Sequence, residues 1–247
     1  MKVIIGTGDS WTQGDGAVSD EVKQMNLNFT DPRLLEYERK NSWVSVLCRD
    51  YLTDYTPIIR GCKGIGNRAA ARSLYFIEPS LRKSISEGYL IFLLSGWDRF
   101  DYFNRHCNRE EIFKFRSILP GFLDKEEVSK VYYEELHNDT MSIAETMCSI
   151  IEAQNFAKVH NLKFIFANAF DHRGPNEFKL FPDLYNQIEM DCFLNNYTTY
   201  FSFQDHLRQL SNTEEQYIAE CFHPSIKGQE VIAKEFYKFI ISKEGKT

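Results

Sequence analysis

Val3-Ile4-Ile5-Gly6-Thr7-Gly8-Asp9-Ser10-Trp11-Thr12-Gln13-Gly14 is the stretch on which the fold turns. A short β-branched run that ends in glycine, without polar alternation, reads as a strand covered on both faces. Gly8-Asp9-Ser10 then turns the chain, and a serine at the carboxyl end of such a strand stands where open α/β sheets hold their ligands. A helix beginning just after it would aim the serine N–H into its own electropositive end. The tripeptide is equally an ordinary turn, since Gly, Asp and Ser each favour turns for local reasons. The remaining strand ends must decide between the two.

Outward from there, Pro57-Ile58-Ile59-Arg60 reads as a second strand. It runs into Gly61-Cys62-Lys63-Gly64-Ile65-Gly66-Asn67, a glycine-rich loop opening a helix with Ala69, Ala70, Leu74 and Ile77. Tyr89-Leu90-Ile91-Phe92-Leu93-Leu94 is the clearest buried strand, closed by Ser95-Gly96-Trp97-Asp98-Arg99, and Lys163 to Ala167 is a fourth. Apolar residues recur at helical spacing after Asn41-Ser42, after Asp139 and after His223-Pro224, each of which reads as a helix start. Asp15 to about Lys40 and residues 171–183 read as loop, while 184–200 stays open between helix and loop. The aromatic, charged stretch from about 100 to 137, broken by Pro120-Gly121, reads as an insertion of short helices or a lid. Strands alternating with helices imply an α/β domain with a mostly parallel sheet. In that arrangement the strand ends at Ser10, Gly64 and Gly96 share one rim.

Length and composition fit one soluble domain spanning 1–247. A net charge of −6 argues against a nucleic-acid partner. The six cysteines are scattered without a C-x-x-C pair, so reduced, mostly buried thiols are expected rather than a disulfide framework or zinc site. No apolar run approaches the ~18 residues of a membrane span, and the apolar start is far short of a signal-peptide core. A cytoplasmic protein without a membrane partner is therefore expected. Gly64-x-Gly66 lacks the third glycine of a dinucleotide fingerprint, and no P-loop is present. A metal centre joining Asp9 to Asp171-His172 or Asp205-His206 lacks an H-x-x-x-H pair or a histidine near Asp9.

A serine hydrolase needs a nucleophile, a base, a group that orients the base, and donors for the oxyanion. Of the histidines, His223 is best placed: Pro224 after it starts a helix, and Glu220 stands three residues before it. A carboxylate at that spacing reaches Nδ1–H and fixes the tautomer. The same pair also reads as an ordinary surface feature ahead of a helix.

Taken together, these segments resemble the SGNH (GDSL-like) hydrolases. Gly8-Asp9-Ser10 with Gly14 looks like the first block, and the G-x-x-G-x-x-N loop from Gly61 to Asn67 looks like the second. Gly96-Trp97-Asp98 sits where Gly-x-Asn belongs, and Glu220-Cys221-Phe222-His223-Pro224 resembles Asp-x-x-His-Pro. The resemblance implies a three-layer α/β/α sandwich with a flavodoxin-like central sheet and a two-step acyl transfer on a small-molecule or carbohydrate ester. Ser10 would be the nucleophile, His223 the base and Glu220 its orienting acid, with Asp205 as a spare. The N–H groups of Ser10 and Gly64 would hold the oxyanion, with Asn67, Asp98 and Arg99 in the binding region. No metal or organic cofactor is implied.

One departure bears directly on the chemistry. Asp98 stands where the family has asparagine, and an ionised carboxylate accepts but does not donate. A protonated Asp98, an Arg99 guanidinium paired with Asp98, or a cleft that binds without catalysis would each accommodate it, and the adjacent cation favours Arg99. A small acyl group such as acetyl is the expected substrate. Thioesterase or lysophospholipase activity, and a non-catalytic glycan- or acyl-binding cleft, are the alternatives.

Overall fold

The protein is described here by a computed structural model. It covers residues 1–28, 31–103, 115–118, 127–170, 174–194, 202–211 and 215–245. Among them run the strands β1 (Lys2–Gly8), β2 (Thr56–Gly61), β3 (Glu87–Leu94), β4 (Phe100–Phe103), β5 (Phe115–Ile118) and β6 (Leu162–Asn168). The helices that matter for the site are α1 (Ser10–Gln13), α2 (Pro32–Asn41), α3 (Trp43–Val46), α4 (Asn67–Ser73), α5 (Asp139–Val159), α6 (Phe203–Leu210) and α7 (Ile226–Glu244).

The main sheet has the order β2-β1-β3-β6 and is parallel throughout. Side chains alternate strictly across it, as strand geometry demands. Val3, Ile5, Leu90, Phe92 and Phe166 face the alanines of α4 and the Met147, Ile150 and Ala153 face of α5. Ile4, Ile91, Leu93 and Ala167 face Trp43 and Val44 of α3 and Ile232 and Phe236 of α7. Both faces are thus covered by helices, which is why these strands read as unbroken apolar runs. Phe236 joins the second layer together, with ring centroids 4.8 Å from Trp43 and 5.4 Å from Phe203.

Register sets the site. Gly8 lies opposite Gly61 on one side and Leu93 on the other, so three chains leave the sheet at the same level. Gly61 permits the closest approach. A Cβ there would stand 2.3 Å from the Gln13 amide nitrogen and 2.6 Å from the Thr12 carbonyl carbon. Any larger residue would push α1, and Ser10 with it, off the second strand end.

Several expectations need correction. The stretch read as loop before Lys40 holds the helix Asp20–Gln24 and α2; Asp31 caps α2 by accepting from the Arg33 N–H, with Pro32 preorganised in its first turn. Asn138 rather than Asp139 caps α5, accepting from the N–H groups of Thr140 and Met141. Residues 171–183 include the helical turn Pro175–Phe178 and the start of a second, Pro182–Tyr185. The insertion after residue 100 contains an antiparallel β4–β5 pair as well as the helix Glu127–Val131. Pro120-Gly121 and Asp171-His172 lie outside the described residues. No helix among the described residues is long and apolar enough to cross a membrane.

Candidate active site

Ser10 opens α1, and Asp9 in front of it is the cap, its Oδ1 accepting from the Trp11 N–H at 3.0 Å. The cap satisfies a helix-end amide that would otherwise lack a partner. Gly14 ends the helix in the left-handed conformation at φ 95°. The other oxygen of Asp9 is fully engaged too, accepting from Ser95 Oγ at 3.0 Å and Arg99 Nη1 at 2.8 Å. Arg99 also donates to the Ile65 carbonyl at 3.2 Å and lies over the Phe170 ring. One fully buried carboxylate therefore fastens the loops after β1 and β3 together, and Arg99 extends the link to the glycine loop.

His223 reaches this site from the loop before α7. That loop closes on itself through Phe222 N–H to the Ala219 carbonyl (2.9 Å) and Ala219 N–H to the His223 carbonyl (2.8 Å). Phe222 adopts φ 63°, the left-handed region that a bulky L-residue rarely enters. The turn brings His223 Nε2 to 2.9 Å from Ser10 Oγ and His223 Nδ1 to 2.9 Å from the Cys221 carbonyl oxygen. A carbonyl only accepts, so Nδ1 carries the proton and Nε2 is free to receive that of Ser10. Gly16, at φ 81°, passes beneath the imidazole; a Cβ there would be 2.8 Å from His223 Cβ.

The acid expected to orient His223 is not where the spacing put it. Glu220 is exposed, and the turn at Phe222 presents the Cys221 carbonyl to Nδ1 in its place. Asp205, the spare, sits in the first turn of α6 and accepts from Ser202 Oγ at 3.0 Å. The carboxylate that does stand beside His223 is Asp15, with Oδ2 3.6 Å from Nε2. Burial works to lower the pKa of His223, but the Cys221 thiol and the negative charges of Asp15 and Asp9 together raise it above its ordinary value.

Asp15 belongs to a network that runs back into the core. Its Oδ1 accepts from Lys63 Nζ at 3.0 Å, and the same ammonium reaches Glu38 Oε1 at 2.8 Å. Glu38 Oε2 takes a hydrogen bond from Gln13 Nε2 (2.9 Å), and Gln13 Oε1 takes one from the Lys63 N–H (3.2 Å). Burial works against the charge on Lys63, and the two carboxylates more than restore it, raising its pKa.

Gly64 follows Lys63 at φ 75°, with open space where a side chain would project. Asn67 turns away from the rim: its amide donates to the Ser95 carbonyl and Thr146 Oγ1, and its oxygen accepts from the Ser95 N–H at 2.7 Å. It is a fastener between the glycine loop and the end of β3, not a binding group. Asp98 folds back over its own loop, for a Cβ on Gly96 would meet Asp98 Oδ1 at 2.8 Å. The pairing expected between Arg99 and Asp98 is replaced by the pair Arg99–Asp9, because the buried carboxylate has the greater need of a cation.

Two further groups had no signal in the local sequence. Asp101 accepts from the N–H groups of Gly66 (2.8 Å) and Ala69 (2.9 Å), capping α4 from across the cleft. Lys63 and Glu38 meet over a separation of 25 residues. Past Asp15 and Cys221, the two residues that contact His223, lies a cavity of about 410 Å³, bounded by Asp15, Lys63, Glu38 and Glu220 on its polar side and by Val18, Val22 and Leu27 among its apolar residues. Among the described residues no group of His, Cys, Asp and Glu side chains is placed to hold a metal ion.

No protein-family model matches the sequence, and no curated protein does. Solved structures do. TesA superposes with a TM-score of 0.50 at 11% identity, covering 97% of this chain and 98% of that one. The psychrotrophic esterase EstA from Pseudoalteromonas sp. gives 0.49 at 14% identity over 98% of each chain. A member of the lipolytic protein G-D-S-L family from Veillonella parvula gives 0.42 at 10%, covering 95% of this chain and 96% of that one. At such identities the likeness is one of architecture: the chain shares with TesA an α/β fold, here a parallel sheet between two layers of helices.

Proposed function

We propose that the protein is a serine ester hydrolase that removes a small acyl group, of the acetyl type, from a polar substrate such as a carbohydrate. The observation that carries this reading is the 2.9 Å contact between Ser10 Oγ and His223 Nε2, with Nδ1 anchored on the Cys221 carbonyl. Ser10 Oγ bonds to the ester carbonyl carbon while its proton passes to His223 Nε2. The tetrahedral oxyanion is held by the N–H groups of Ser10 and Gly64. When it collapses, the carbon–oxygen bond of the alcohol breaks and Nε2–H protonates that alcohol. Water repeats the sequence on the acyl-enzyme, giving the free acid and Ser10.

The charged groups on the wall of that cavity, Asp15, Lys63 and Glu220, support a hydroxyl-bearing leaving group. Asp98 supports a second reading, a cleft that binds without catalysis, because its carboxylate offers no donor. A fluorophosphonate probe separates the two. Stoichiometric labelling lost in Ser10→Ala is the expected result; no labelling at high probe concentration favours the binding cleft. A panel of acyl chain lengths then distinguishes an acetyl-type esterase from a thioesterase or lysophospholipase.

The pH dependence is set by His223. It must be neutral to accept the serine proton, so kcat/KM falls as pH drops through its pKa. Because that pKa is raised, the acid limb is expected above the ordinary histidine value of about 6.5. A limb at or below that value in a pH–rate profile would remove the electrostatic part of this account.

A further inference from the structure

We propose that Asp15 is the carboxylate that supports His223, acting from the Nε2 side of the ring while a peptide carbonyl holds Nδ1. This rests on reading Ser10 and His223 as nucleophile and base. The Cys221 carbonyl fixes the tautomer, but as a neutral dipole it stabilises an imidazolium less than a full negative charge does. Asp15 Oδ2, 3.6 Å from Nε2, is too distant to take the place of Ser10 Oγ at 2.9 Å and close enough to act through space.

The network behind Asp15 explains why it holds that position. Lys63, Gln13 and Glu38 form a closed ring of hydrogen bonds, from Lys63 N–H to Gln13, from Gln13 to Glu38, and from Lys63 Nζ back to Glu38. Glu38 and Gln13 are buried in it, so Lys63 cannot move far, and its Nζ grips Asp15 Oδ1. Two carboxylates share a single ammonium, which leaves one negative charge uncompensated. Proton transfer from Ser10 makes His223 the second cation and balances the cluster at the moment the oxyanion forms. Interactions that strengthen only then are the ones that raise kcat. Lys63 also precedes Gly64, so the same ammonium ties the base's partner to the loop that supplies an oxyanion donor.

The other groups facing the imidazole do not provide this. Asp9 is already paired with Arg99. The Cys221 thiol, whose hydrogen bond raises the His223 pKa before Asp15 adds to it, stays in place in an Asp15→Asn variant, so that variant reads the Asp15 share alone. Lys63 stands behind Asp15 and attenuates its charge without cancelling it, since Glu38 shares the ammonium.

Asp15 is therefore a positioning and electrostatic residue, and its test must read His223 itself. NMR titration of the His223 ring in the full chain is expected to give a lower pKa in Asp15→Asn than in the native protein, as removal of a nearby opposite charge does. The acid limb of kcat/KM should move down with it, kcat on the plateau should fall about tenfold, and Asp15→Glu should restore most of both. An unmoved ring titration in a folded Asp15→Asn protein overturns the proposal. Because that titration needs no turnover, it separates failure of the Asp15 role from failure of the esterase reading, which shows instead as absent labelling of Ser10.

Discussion

His223→Ala is expected to lower kcat on an acyl ester by a factor on the order of 10⁶, the size seen when the base of a serine hydrolase is removed. Glu220→Ala is expected to change it by less than about threefold, within the range of a surface charge change that touches no reacting atom. The contrast follows from one turn of backbone. If Glu220 oriented His223, its loss would disturb tautomer and ring position and cost kcat several powers of ten. With the Cys221 carbonyl at 2.9 Å from Nδ1, orientation is a main-chain property that no side-chain substitution at 220 removes. Steady-state kinetics on both variants, beside unchanged circular dichroism, decide it. A loss of a hundredfold or more in Glu220→Ala would restore the carboxylate to the triad.

The sheet was legible because burial on both faces leaves a mark that survives without any partner in view: Val3 to Ile5 and Tyr89 to Leu94 carry no polar alternation. The meeting of Ser10 with His223 was legible because each stands at a chain punctuation, one after glycine and one before proline. Glu220 misled because Phe222 takes a left-handed conformation that nothing in its residue type announces. Asp15, Lys63 and Glu38 stayed hidden for a different reason. Each is an ordinary charged residue, and only the fold brings Lys63 to Asp15 across 48 residues. Asp101, which caps α4 over a separation of 35 residues, was hidden in the same way. Polarity there reports a partly buried network, whereas in the sequence it looks like solvent exposure.

Arg99→Met is expected to destabilise the protein by about 3–5 kcal/mol, because it leaves the buried charge of Asp9 without its cation. For a domain of this size that corresponds to a fall in Tm of roughly 6–20 °C. Asp9 is fully buried, and the Arg99 side chain is only 18% exposed, so solvent does little to compensate. Asp9→Asn alone keeps a carbonyl oxygen for the Trp11 N–H but leaves the guanidinium without its carboxylate. Combining the two neutralises both partners, so the double variant should be more stable than the sum of the single losses predicts. Denaturant unfolding of the four proteins measures that difference, expected at about 2 kcal/mol or more for residues in direct contact. Strict additivity would mean that the 2.8 Å pair contributes nothing of its own. The catalytic consequence separates Arg99 from the oxyanion. A guanidinium committed to Asp9 and the Ile65 carbonyl acts by holding Ser10 and the glycine loop in place. In the double variant, activity should therefore recover together with stability, whereas an arginine that touched the oxyanion would leave kcat low however well the protein folds.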